Sequence, residues 1–156
     1  VTDLIVAEQI VDVESSLEFV PDQQWLQSAL NVPARENYKI ISGRLVTADK
    51  VIHSPQDKKE FGERFSAEAV EMETSAIAKV ATDKNLPFLS VRAISDSVEQ
   101  EILDSSSFLG SDGEISKLKA GWYVLTHPGS IASALSLRSQ TLRATRTMTE
   151  FIFHLL

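Results

Sequence analysis

The segment Ala67-Glu68-Ala69-Val70-Glu71-Met72-Glu73-Thr74-Ser75-Ala76-Ile77-Ala78 decides the fold, together with Leu86-Pro87-Phe88-Leu89-Ser90-Val91-Arg92-Ala93-Ile94-Ser95-Asp96. Ala67 to Glu71 reads as a short buried strand. Thr74 or Ser75 offers a hydroxyl to cap a helix. Ile77, Val80 and Ala81 then recur at helical spacing to about Lys84, and Asn85 stops the run. Leu86 to Ile94 is the most strand-like run in the chain. Strand, helix and strand in that order form a βαβ unit, which predicts a parallel pair with a right-handed crossover.

Working outward, Leu4 to Val13 is an apolar run ending in a turn-like cluster and predicts a strand. Pro21 to Leu30 predicts a helix, with Pro21 in its first turn and Trp25, Leu26 and Leu30 on its apolar face. Tyr38 to Lys50 predicts a long strand in which Gly43 marks a bulge. Gln56 to Phe65 predicts a short helix, Ser95 to Gly113 an acidic loop and Glu114 to Leu125 a helix. Pro128 opens a long final helix whose stripe is Ile131, Leu135, Leu142, Met148, Ile152 and Leu155. The pattern is that of one α/β domain over 1–156, a three-layer sandwich with a mixed sheet flanked by helices.

Composition narrows the function. With 156 residues, 43% hydrophobic and 24% charged, the chain can bury a core of its own. Lys and Arg number 15 against 22 Asp and Glu, a net charge of −7. So acidic a chain is a poor ligand for phosphate backbones, and no nucleic-acid partner is expected. Cysteine is absent, which excludes disulfides, thiolate metal sites and a Cys nucleophile. His53, His127 and His154 have no metal-ligand spacing, and no metal is expected. No apolar run has the ~18 residues of a membrane span, and no signal peptide is expected. A cytoplasmic location is the plain expectation.

Two acidic motifs stand at strand ends, where α/β sheets bind ligands. Glu71-Met72-Glu73 follows one strand, and Ser95-Asp96 follows another. Arg92 sits within an apolar strand and needs a carboxylate partner if buried, from Glu71, Glu73 or Asp96. Each has a plainer reading. Glu73 can be first-turn helix decoration, Asp96 an N-cap with Glu99 three residues on, and Arg92 with Glu71 a structural ion pair. Arg138, Arg143 and Arg146 form a basic facet whose default is a solvated face.

Both motifs, in this order and separation, resemble the purine nucleoside phosphorylase superfamily, with the methylthioadenosine/S-adenosylhomocysteine nucleosidase group as the nearest branch. Gly43 to Ile52 resembles that group's strand leading to the base pocket. The resemblance implies a phosphorylase/hydrolase-like fold and cleavage of the N-ribosidic bond of an adenosine derivative, by hydrolysis or phosphorolysis. It implies that Asp96 protonates the departing purine and Glu73 grips the ribose hydroxyls. Glu71 matches a second carboxylate near the ribose, Met72 the residue packing under the sugar, and Ser95 the residue orienting Asp96. Ile52, through its backbone, matches the end of the base-binding strand. Val51 departs from the pattern, since the family often stacks an aromatic residue on the base there.

The resemblance covers only the later part of the family's domain, so an N-terminally truncated version is expected. The Gly-rich loop, the phosphate-binding basic residues and the acid that activates water have no counterpart. A catalytically inactive nucleoside-binding or assembly module is therefore the alternative. The implied partners are a small purine nucleoside and, through uncovered strand edges, a second copy in a homo-oligomer. No cofactor is implied, with phosphate as an alternative co-substrate.

Overall fold

The computed structural model describes residues 2–34, 38–99 and 129–156, with the side chains of the final helix described from Ser139 onward. Its centre is β1, Leu4–Asp12, in which Leu4, Val6, Ala7 and Ile10 are fully buried. One edge of β1 pairs in parallel with β3, Ile40–Thr47, along its whole length. The other edge is shared by two short antiparallel strands. β2, Glu18–Phe19, covers Ile10 and Val11, and β5, Val91–Ala93, covers Leu4 to Val6. β4, Ala69–Glu71, continues the parallel set on the far side of β3. The sheet is thus mixed.

This order corrects the expected crossover. β4 and β5, joined by the helix α3 (Thr74–Asp83), are not neighbours, because the β1–β3 pair lies between them. Val91 and Ala93 instead pack with Leu4 and Val6 in the larger apolar cluster, so burial rather than sequence proximity selects the partner. The strand is also shorter than expected. Pro87 donates no hydrogen bond, and Phe88 spends its carbonyl on the amide of Asp22 rather than on a ladder.

A bulge sets which faces meet which helices. Ala7 opposes Gly43 and Gln9 opposes Arg44, which leaves Glu8 as an extra residue in β1. Strict alternation would send Ala7 and Ile10 to opposite faces. The extra residue restores them to one face, where they pack with Leu45, Phe19 and Ala78 of α3. The bulge therefore lies in β1 and not at Gly43. Gly43 has another use: the Glu68 side chain crosses so close that an added Cβ would sit 2.7 Å from Cγ of Glu68.

Helices cover both faces. α1, Gln23–Leu30, is capped by Asp22, whose carboxylate accepts from the amides of Gln24 and Trp25. Pro21 accordingly precedes the cap instead of lying in the first turn, and the buried positions are Leu26 and Ala29, with Trp25 exposed. α2, Pro55–Phe65, starts at Ser54 with Pro55 in its first turn. The final helix, α4, runs Gly129–Leu155. Its buried residues are Ala144, Thr147 and Phe151, with Met148 and Leu155 packed beside them, while Leu142 and Ile152 face outward. The expected stripe is thus rotated toward a narrower seam that admits Ala144 and Thr147. The side chains of Ile131, Leu135 and Arg138 lie outside the described residues, as do the expected helix at Glu114 to Leu125 and His127. Among the described residues no helix is long and apolar enough to cross a membrane.

Phe151, 1% exposed, ties α4 to Leu4, Val6 and α1. Phe151→Ala should cost about 3–5 kcal/mol in denaturant unfolding, whereas Ile152→Ala, on the outer face, should cost much less. Equal losses would restore the stripe read from the sequence.

Candidate functional site

The C-terminal ends of β1, β3 and β4 meet the start of α3 in a polar network. Glu71, the last residue of β4, has a side chain only 2% exposed. Its Oε1 accepts from Thr47 Oγ1 at 2.5 Å, and its Oε2 accepts from the amides of Glu73 and Thr74 and from Thr74 Oγ1. Glu71 therefore performs the capping expected of Thr74 or Ser75. Glu73 occupies the N-cap position and makes no capping bond with its side chain. Ser75 donates through its amide to Thr47 Oγ1 and through its hydroxyl to Asp12 at the end of β1.

Burial pushes the Glu71 carboxyl up, but the donors from Thr47, Glu73 and Thr74 outweigh it and hold the group below the usual carboxylate range. The Ser75 hydroxyl, then the Ser15 amide, lower Asp12 in the same way. Arg92 reaches toward this cluster from β5. One guanidinium nitrogen lies 3.8 Å from Glu71 and 3.5 Å from Glu73. Its partners are thus the two glutamates, and it is half-exposed rather than buried.

Asp96 is held separately. Ser95 Oγ donates to its Oδ1 at 2.9 Å, and Lys58 Nζ of α2 lies 2.8 Å from Oδ2. The same ammonium donates to the carbonyl of Ser97 at 3.2 Å. No helix begins at Asp96 among the described residues, so the capping reading with Glu99 does not hold. Ser95, Asp96, Lys58 and Arg92 line a cavity of about 540 Å³ between α2, β4 and the end of β5. Phe61, Ala69 and Ile94 supply apolar wall. A twisted sheet can turn β5 toward β4 although two strands separate them.

The remaining expected residues lie around this centre without closing on it. Met72 and Glu73 are exposed at the β4–α3 junction and do not line the cavity. Val51 is exposed and Ile52 half-buried in the segment between β3 and α2, also outside the cavity wall. Arg92 is the physical link, lining the cavity while pairing with Glu71 and Glu73. Lys58 and Thr47 escaped the sequence reading. Lys58 lies in the charged run Asp57-Lys58-Lys59-Glu60, which reads as solvated helix. Thr47 ends the observed β3 but lies inside the strand expected over Tyr38 to Lys50, so its hydroxyl carried no signal there. Among the described residues no cluster could hold a metal ion.

The family model of the phosphorylase superfamily matches residues 4–121. The chain belongs to the phosphorylase superfamily. It is 38% identical over 81 residues to a 5′-methylthioadenosine/S-adenosylhomocysteine nucleosidase of Staphylococcus haemolyticus, covering 51% of this chain and 36% of that one. It is 31% identical over 116 residues to an aminodeoxyfutalosine nucleosidase of Helicobacter pylori, covering 65% and 50%. The chain thus spans half or less of the length of these relatives. Among solved structures, a Neisseria meningitidis methylthioadenosine/S-adenosylhomocysteine nucleosidase in complex with methylthio-immucillin-A superposes with a TM-score of 0.55 at 28% identity, over 64% of this chain and 51% of that one. The futalosine hydrolase of Helicobacter pylori superposes with a TM-score of 0.68 over 99% of this chain and 60% of that one, at 19% identity, a likeness of fold.

Because folding lowers the Glu71 pKa, its contribution to stability is complete above the unfolded value of about 4.5 and is lost as pH falls through the lower folded value. Glu71→Gln should lose about 1–3 kcal/mol near neutrality, since amide and hydroxyl donors lose a charged acceptor. Its further loss on acidification to ~pH 3 should be smaller than that of the parent, with Asp12 supplying the remainder. Urea unfolding at the two pH values tests this. Parallel pH dependence in both proteins would remove Glu71 from the account.

Proposed function

We propose that this chain carries the base- and ribose-binding part of a nucleosidase that cleaves the N-ribosidic bond of a purine nucleoside, with an adenosine derivative such as methylthioadenosine or S-adenosylhomocysteine as substrate. The observation that carries the reading is Asp96: a carboxylate held at both oxygens just beyond a strand end, on one cavity wall with Arg92, which joins it to Glu71 and Glu73. The names of the relatives favour hydrolysis over phosphorolysis.

Cleaving this bond builds positive charge on the ribose and negative charge on the base. Asp96, entering as the carboxylic acid, passes its proton to the purine as the C–N bond lengthens and returns to carboxylate, while a water oxygen bonds to the ribose carbon and the proton that water releases goes to solvent. Glu73 accepts hydrogen bonds from the ribose hydroxyls, with Arg92 steadying its carboxylate. Glu71 holds the Glu73 amide and so fixes the start of this segment. Met72 packs under the sugar, Ser95 orients Asp96, and Val51 with the backbone of Ile52 borders the base. No cofactor enters this scheme, and phosphate replaces water only in the phosphorolytic variant.

Self-association in the cytoplasm is part of the same proposal. Ile77 and Val80 stand exposed on α3 with Leu86 beyond its end, an apolar strip suited to a second copy. Equilibrium sedimentation at micromolar concentration should give a homo-oligomer, and a clean monomer would reject it.

Adenine release from methylthioadenosine, S-adenosylhomocysteine and adenosine should occur without phosphate. Asp96→Asn should lower turnover by ~10²–10⁴-fold with little change in KM. A phosphate requirement would replace hydrolysis with phosphorolysis. Nucleoside binding without release would favour the binding-module alternative.

A further inference from the structure

We propose that Lys58 is the positioning residue for Asp96, an inference that rests on the proposed nucleosidase reading and assigns α2 a part in the chemistry. The side chain of Lys58 is 8% exposed, unusual for a lysine, and its ammonium ends 2.8 Å from Asp96 Oδ2. The ammonium is anchored a second time by the Ser97 carbonyl at 3.2 Å. Ser95 holds the other oxygen of the same carboxylate. With a donor on each oxygen, rotation of the carboxylate about its last bond is blocked, and its plane is fixed relative to the cavity wall.

This arrangement differs from a surface ion pair in two ways. The pair joins residues 38 apart in sequence, from α2 and from beyond the end of β5, so it ties together two walls of one cavity. Its ammonium also has a second acceptor in the Ser97 carbonyl, which holds the charge in place against Asp96. The other charged groups lining the cavity are Lys59 and Glu63 of α2, Glu68 before β4 and Arg92 of β5. Arg92 is engaged with Glu71 and Glu73, and Lys59 lies 4.0 Å from Glu63 on an exposed part of α2. Lys58 is the cation on Asp96 among the described ion pairs.

The test compares Lys58→Met and Lys58→Arg with the parent and with Asp96→Asn in the adenine-release assay. Loss of aim by a fraction of an ångström to an ångström costs up to ~10²-fold in rate. Lys58→Met should therefore lower kcat by ~10–10²-fold with KM nearly unchanged, and Lys58→Arg should recover most of it. In an Asp96→Asn background, Lys58→Met should add almost nothing, because the residue acts through Asp96. Equal kcat in Lys58→Met and parent, or additive losses in the double variant, would overturn the proposal while leaving the nucleosidase reading intact. Should the parent release no adenine, the nucleosidase reading fails by itself. The positioning role is then decided by a crystal structure of Lys58→Met: a displaced Asp96 carboxylate supports it, and an unmoved one overturns it.

Discussion

The Glu71 carboxylate is the constraint on which this fold turns. A carboxylate offers about four acceptor positions, and Glu71 fills them with two hydroxyls and two amides from two elements. Three strand ends are tied to one helix start by this group and its extension through Thr47 and Ser75 to Asp12. Taking a charge out of water is costly, and the cost is met here only because every oxygen has short donors. The helix gains too, since negative charge at an N-terminus opposes its macrodipole. The local geometry of Met72 and Glu73 follows from that anchoring.

Much of this was legible in the sequence. The strands at Leu4, Ile40 and Ala69 follow from short apolar runs, which in β1 are buried on both faces, and the helix after Glu73 and the long final helix follow from apolar residues at helical spacing. The pairing of β5 was not legible. Strand–helix–strand order suggests adjacent partners, and nothing local in Val91-Arg92-Ala93 reveals that Leu4 and Val6 offer the better apolar cover. The bulge at Glu8 was hidden for a similar reason, since an extra residue shows only when a register is counted against a partner.

The candidate site was half legible. Glu71, Glu73 and Asp96 stood out because acidic residues at strand ends are chemically conspicuous, and Ser95 came in only as Asp96's neighbour in its motif. Their division into two groups was not, for it depends on which strands adjoin. Asp96 went to Lys58 and the glutamates went to Arg92. A lysine inside a run of charges carries no mark of burial, and only the seating of α2 against the end of β5 makes Lys58 an interior group.

The attachment of β5 has a consequence for how the molecule opens. Its ladder to β1 has three pairs, from Leu4 with Ala93 to Val6 with Val91, extended by backbone bonds of Ser90 with Ala7 and of Ile94 with Thr2 and Asp3. These contacts close a long loop, which costs chain entropy, so this ladder is expected to open more readily than contacts between near neighbours in sequence. The turn at Glu71, by contrast, is built from neighbours in sequence and from β3. Transient detachment of β5 would carry Ser95 and Asp96 away while the glutamate end stays assembled. The cavity wall would then breathe on one side only, the side that carries Arg92, Ser95 and Asp96.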